Sequence, residues 1–197
     1  AFQKNGYIVA EDIIGDGDLE PIRSFIEEKV DEYAQEEHSQ RRLSSLHEEA
    51  SFGRRYAAIC KELDISPRNW AFGSFGRLFY DLFNQPGIIN VVRALLGPEV
   101  SNDGLPVIRT KLPGSLITSF PWHQDSQYFD QKKIGQQEKR TEHLTMVTVW
   151  VPLIDATVEN GCCWVIPGSH HWGLLDGSRG EDKNVRMDED IEARGVD

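Results

Sequence analysis

Cysteines and long apolar runs are scarce in this chain. It has three cysteines in 197 residues, and Cys162 and Cys163 are neighbours whose thiols would point to opposite faces of a strand. Structural zinc sites usually separate their cysteines by about two to four residues, so we interpret all three as free thiols in a reducing compartment. No apolar run is long enough to span a bilayer and no signal peptide is recognisable, so the sequence predicts a cytoplasmic protein without a membrane anchor.

Basic residues are also in short supply. The chain has 21 Lys and Arg residues against 32 Asp and Glu residues, which gives a formal net charge of -11. This surplus of acid argues against a broad surface for nucleic acid or for anionic membranes. A small-molecule substrate is favoured, and a local basic pocket could still bind an anionic one.

The length and composition fit one globular domain over residues 1–197. The first residue is Ala1 rather than Met, which predicts that residues are missing from the N-terminus. In the first half, apolar residues recur at helical spacing over 22–33, where the opposite face is acidic and predicted to be solvated. Similar spacing predicts helices over 48–63 and 78–96, with Pro86 near one start.

The second half has a different pattern. Extended runs with alternating apolar residues predict strands over 107–111, 122–129, 144–153 and 162–166. Helices followed by short strands with Gly and Pro turns favour an α+β protein with a mainly β core that helices buttress. The charged stretch 131–140 between two of these strands is either a lid or a solvated hairpin loop.

The strongest candidate site lies in the second predicted strand, at His123 and Asp125. Side chains two apart on a strand share one face, so this imidazole and this carboxylate could aim at one point. Together they are two of the three ligands of a 2-His-1-carboxylate site for non-haem Fe(II). The His-x-Asp pair alone is a weak motif, because it also occurs by chance as a solvated turn or a hydrogen-bonded pair.

The context downstream strengthens this motif. The segments that follow are Val147-Thr148-Val149-Trp150-Val151-Pro152-Leu153, Glu159-Asn160-Gly161 and Trp164-Val165-Ile166-Pro167-Gly168-Ser169-His170. Together with the His-Gln-Asp segment and a loosely matching Gly6-Tyr7-Ile8-Val9 opening, they resemble the phytanoyl-CoA dioxygenase family of Fe(II)/2-oxoglutarate oxygenases. The resemblance covers most of the chain.

The resemblance implies a double-stranded β-helix, a cupin-like form of jelly roll. Residues 1–104 would be its mainly helical N-terminal part, and residues 105–197 the first part of its core. Such a barrel needs eight main strands, and the sequence offers four or five, so we expect the C-terminal strands to be missing from the chain.

The resemblance also implies the chemistry. His123 and Asp125 would bind Fe(II), and Gln124 and Trp150 would contact 2-oxoglutarate, although Trp150 could equally be a core aromatic. The expected reaction uses dioxygen to hydroxylate a small organic molecule while 2-oxoglutarate is decarboxylated to succinate. Related halogenases have a small residue where this chain has Asp125, so hydroxylation is favoured over halogenation.

The end of the chain departs from the family pattern. The family's second histidine and its 2-oxoglutarate-binding arginine lie well beyond the Pro-Gly-Ser-His turn, and no histidine follows His171. We therefore expect the third ligand beyond Asp197. One alternative is a non-catalytic or truncated relative, and another is a cupin-like metal-dependent isomerase or hydrolase that uses His170. The resemblance makes His170 a hydrogen-bonding turn residue, and His143 is interpreted as a surface residue.

Overall fold

The computed structural model describes residues 1–67, 76–102, 107–115, 118–128, 146–175, 178–179, 185–186 and 191–194. Within these residues the first half of the chain forms the α-helices α1 (Phe2–Asn5), α2 (Asp16–Ser39), α3 (Phe52–Leu63), α4 (Arg77–Phe83) and α5 (Pro86–Leu96). The described part of the second half includes the 3₁₀ helices Asp125–Tyr128 and Ser169–Trp172. The described strands are β1 (Ser178–Arg179) and β2 (Val185–Arg186).

The helical part of the prediction is confirmed. Helix α2 includes the predicted span 22–33, and its start is stabilised by Asp18, whose carboxylate accepts a hydrogen bond of 2.8 Å from the backbone N–H of Gly15. That bond, followed by one from the Gln85 side chain, lowers the pKa of Asp18. The predicted helix over 78–96 is two helices, because Gln85 before Pro86 adopts an extended ψ of 127° and interrupts the turn.

The chain forms two compact units, each made of separate segments. The larger unit comprises 10–118 and 150–162. Its core is a cluster of buried side chains from α2, α3 and the connection between them: Val30, Tyr33, Ala34, Leu43, Tyr56, Ile59 and Cys60. Burial of this apolar surface is the main force that holds α2 and α3 together. On the other side of α2, the Phe25 ring meets Phe79 of α4 edge to face at 5.8 Å.

The smaller unit comprises 1–9, 119–149 and 163–197. Its buried side chains are Leu175 and Ile191, and Trp122, Ile166 and Trp172 pack against them. Helix α1 is attached to the second 3₁₀ helix through the backbone, since the N–H of Gly168 donates to the carbonyl of Asn5 at 2.8 Å. The prediction of one domain over 1–197 stays a prediction.

The predicted jelly roll is wrong for the described residues. The strand pairing they contain is a two-residue antiparallel ladder, in which Ser178 pairs with Arg186 and Arg179 with Val185. Of the predicted strands, 122–129 turns into a 3₁₀ helix at Asp125, whose short polar side chain favours turns over a ladder. The described parts of 107–111, 144–153 and 162–166 carry no strand assignment.

The physical reason is that alternating apolar residues specify an extended backbone but not the neighbouring strand with which it would pair. A strand exists only where a neighbour supplies N–H and C=O groups, and a jelly roll also needs a second sheet to cover its apolar face. In the described part of these segments, Val149, Trp164 and Val165 are about half exposed or more, at 49%, 64% and 51%. The loop 131–140 lies outside the described residues.

Gly87 and Gly17 give a matched pair for testing the packing of α5. A Cβ added at Gly87 would lie 1.9 Å from the carbonyl oxygen of Ile13, whereas one added at Gly17 in α2 would meet nothing within 4 Å. We expect Gly87→Ala to destabilise the protein by more than about 1 kcal/mol, because the backbone of Ile13 or of Gly87 would have to shift to make room for the methyl group. Gly17→Ala should instead stabilise it by roughly 0.4–1 kcal/mol. Urea unfolding measures both, and equal effects would contradict the close approach at Gly87.

Glu62 gives a pH-dependent prediction. It accepts from the backbone N–H of Ser44 and lies 2.6 Å from Nε2 of His47, and these contacts, the first above all, lower its pKa. A lowered carboxyl pKa stabilises the fold above the ordinary value of 4.5, and this contribution is lost as the pH falls through the folded-state pKa. Glu62→Gln should therefore cost more stability at neutral pH than at about pH 3. The exposed Glu48→Gln is the control, and a pH-independent cost at Glu62 would contradict the assignment.

Candidate metal centre

His123 and Asp125 converge in the smaller unit, although the structure does not place them on a strand. His123 lies two residues before the first 3₁₀ helix, and Asp125 is the first residue of that helix. Their facing atoms, Nε2 and Oδ1, are 3.3 Å apart, with side chains 27% and 44% exposed. The pair is therefore reachable from solvent, as a site that exchanges substrate must be.

A backbone carbonyl fixes the orientation of the His123 ring. Its Nδ1 lies 2.8 Å from the carbonyl oxygen of Pro121. A carbonyl only accepts, so the hydrogen-bond network assigns the proton to Nδ1 and makes Nε2 the lone-pair nitrogen of the neutral ring. Metal-binding histidines characteristically hold their second nitrogen in this way, which sets both the tautomer and the ring direction. The Phe120 ring packs beside the imidazole at a centroid distance of 5.9 Å.

Thr148 holds the other side of the pair. Its hydroxyl donates to Oδ2 of Asp125 at 2.5 Å, while Oδ1 is the oxygen that faces His123. The two carboxylate oxygens therefore have different partners. Sequence reasoning did not single out Thr148; the available signal was a hydroxyl within an otherwise apolar alternating run, two residues before Trp150.

The facing atoms need a positive charge between them. A neutral imidazole nitrogen and a carboxylate oxygen are both acceptors, so a contact of 3.3 Å is stable only with a proton or a cation in it. A proton would make an ordinary ion pair. For a first-row metal ion, two ligand atoms at about 2.1 Å and at right angles would be about 3.0 Å apart, close to the observed separation. Nitrogen and carboxylate oxygen are also donors that suit Fe(II), so the two residues fit it as two of its ligands.

The described residues contain no group of three His, Cys, Asp or Glu side chains that could hold a metal ion. His170, the tempting alternative ligand, lies with its Nε2 3.0 Å from the carbonyl oxygen of Gln3. Its ring lies beside that of His171, with the centroids 3.8 Å apart and the planes tilted by 40°. His170 is thus hydrogen-bonded within the described residues, and its assignment as a turn residue rather than a ligand stays a prediction. His143 lies outside the described residues.

Gln124 and Trp150, the two residues predicted to contact 2-oxoglutarate, belong to different units of the chain. The Gln124 amide contacts backbone: its Nε2 donates to the carbonyl of Gly173 at 2.7 Å, and its Oε1 accepts from the N–H of Leu175 at 2.9 Å. Trp150 belongs to the larger unit and is 48% exposed, which disfavours the alternative of a core aromatic. Contact of either residue with 2-oxoglutarate stays a prediction.

Lys111, in the segment 107–111 that the sequence predicts as a strand, donates from Nζ to the carbonyl of Thr118 at 2.9 Å, which stabilises a loop of the larger unit. Among the described helices, none is both long and apolar enough to cross a membrane.

Comparison with known proteins gives the family. The family model described as phytanoyl-CoA dioxygenase matches residues 2–193. The chain is 23% identical over 199 residues to phytanoyl-CoA dioxygenase domain-containing protein 1 of Danio rerio, covering 88% of this chain and 64% of that protein. It is 26% identical over 185 residues to phytanoyl-CoA dioxygenase of Arabidopsis thaliana, covering 88% and 64%.

A third relative is a probable phytanoyl-CoA dioxygenase of Caenorhabditis elegans, 23% identical over 181 residues, with 88% of this chain and 52% of that protein covered. The chain thus spans between half and two thirds of the length of these curated relatives. No solved structure gives a significant match. Because the family model covers nearly every residue, including the His-Gln-Asp segment, the chain belongs to the phytanoyl-CoA dioxygenase family.

Proposed function

We propose that this chain is an Fe(II)/2-oxoglutarate-dependent dioxygenase that hydroxylates a small organic molecule. The observation that supports it most is the convergence of His123 Nε2 and Asp125 Oδ1 at 3.3 Å, within a family of dioxygenases.

The proposed roles follow from the contacts of each residue. His123 binds the metal through Nε2, because its other nitrogen is committed to the Pro121 carbonyl. Asp125 binds through Oδ1, while Thr148 holds Oδ2 and stops the carboxylate from rotating. A third protein ligand comes from outside the described residues. When bound, ferrous iron supplies the activation of dioxygen that couples substrate hydroxylation to decarboxylation of 2-oxoglutarate to succinate.

The remaining roles belong to binding. The resemblance assigns Trp150 to contact with 2-oxoglutarate, and its ring is 48% exposed and so open to a ligand. The carboxylate of Asp125 would hold the metal at the position where related halogenases have a small residue, which favours hydroxylation over halogenation. The net charge of -11 favours a small molecule over nucleic acid as the substrate.

The test is an anaerobic titration of the protein with Fe(II) and 2-oxoglutarate. A 2-oxo acid chelated to Fe(II) gives a visible charge-transfer band, and we expect it in the wild type. Asp125→Asn should abolish the band or weaken Fe(II) binding by about 10-fold or more, since an amide is a poorer ligand than a carboxylate. The control is Asp64→Asn, an exposed carboxylate at the end of α3 in a left-handed conformation that Asn tolerates.

A band that survives Asp125→Asn unchanged would contradict the site. Absence of the band in the wild type would contradict the proposed activity for this chain and favour the non-catalytic relative. Formation of succinate in air, lost in Asp125→Asn and kept in Asp64→Asn, would connect the site to turnover.

A further inference from the structure

The amide of Gln124 joins two segments of the smaller unit that are about fifty positions apart in sequence. One end donates to the carbonyl of Gly173 at 2.7 Å, and the other accepts from the N–H of Leu175 at 2.9 Å. A neighbouring strand would engage these two backbone groups. Here the Gln124 amide takes the place of such a strand, because it offers a donor and an acceptor in one rigid plane.

A second contact holds the same stretch of backbone. Trp122, two residues before Gln124, packs against the apolar cluster of Leu175 and Ile191. Trp122 and Gln124 alternate in sequence with His123 and Asp125, which converge on each other. The backbone that carries the two proposed ligands is thus held by an apolar contact and by two hydrogen bonds.

Gly173 adds a second constraint on this contact. Its φ is +74° and its ψ is -171°, a conformation that L side chains rarely adopt. The direction of its carbonyl depends on that conformation, and a Cβ there would meet no atom within 4 Å. The conformation of the backbone, rather than a lack of space, is therefore the reason for glycine at this position.

We propose that Gln124 is a positioning residue for the metal site: by clamping its backbone to Gly173 and Leu175, it holds His123 and Asp125 in the converged geometry. The inference rests on the proposed function, because it assigns Gln124 a role toward the metal ligands. It differs from direct contact of Gln124 with 2-oxoglutarate, since the clamp acts on Fe(II) affinity before any 2-oxo acid is bound.

The test compares two variants that keep the size of the side chain. Gln124→Met removes both hydrogen bonds, and Gln124→Glu keeps an acceptor for Leu175 but sets a carboxylate oxygen against the Gly173 carbonyl. We expect both variants to weaken Fe(II) binding by about 10- to 100-fold, the range for partners that orient metal ligands. The affinity of the Fe(II)-saturated protein for 2-oxoglutarate should be unchanged. The control is Gln3→Glu, which makes the same charge change at an exposed position of α1.

Backbone amide exchange at Leu175 gives a readout independent of metal. The N–H of Leu175 should exchange faster in Gln124→Met, because its acceptor is removed, and should be unaffected in Gln3→Glu. Unaltered exchange, or unaltered Fe(II) affinity in both Gln124 variants, would overturn the inference.

The outcomes separate this inference from the proposed function. Loss of 2-oxoglutarate affinity with intact Fe(II) affinity would overturn the positioning role and assign Gln124 to cofactor contact. If the wild type binds Fe(II) and loses it in Asp125→Asn, yet the Gln124 variants bind as the wild type does, only the positioning role fails. If the wild type binds no Fe(II), the proposed function fails and the inference fails with it.

Discussion

The 3.3 Å contact between His123 Nε2 and Asp125 Oδ1 is the interaction on which the candidate site depends. Such a pair is repulsive unless a positive charge lies between the atoms. The Pro121 carbonyl engages Nδ1 and so directs the lone pair of Nε2 toward the carboxylate. A proton there makes an ordinary ion pair, and a metal ion there is the proposal that membership of a dioxygenase family supports.

The contacts around the pair fix each atom separately. Thr148 holds one oxygen of Asp125, the Pro121 carbonyl holds one nitrogen of His123, and the Gln124 amide holds the backbone between them. None of these three partners carries a net charge, so none would compete with a cation for the two side chains. In the proposed site, orientation by neutral hydrogen bonds would keep His123 and Asp125 basic and would limit the entropy lost on metal binding.

The helices could be predicted because their signals are local. Periodic apolar residues and the capping carboxylates of α2 specify the helix without reference to distant residues, and Pro86 marks a start that the structure confirms. The prediction of a jelly roll was wrong for the described residues, because the alternation of apolar residues around Val149 or Trp164 does not specify which segment supplies the partner strand. The pair His123 and Asp125 was identifiable from spacing, but its convergence arises at a 3₁₀ helix rather than on a strand face. The contact of Thr148 with Asp125 and that of Gln124 with Gly173 join residues that are distant in sequence, so no local pattern predicts them.

The most direct test of the account is the position of a bound metal, measured by anomalous diffraction from crystals grown anaerobically with Mn(II) as a substitute for Fe(II). The account predicts an anomalous peak bonded to both Nε2 of His123 and Oδ1 of Asp125, with Thr148 still on Oδ2. A peak bonded to neither residue, or an intact hydrogen-bonded His123–Asp125 pair with no metal at saturating Mn(II), would contradict it.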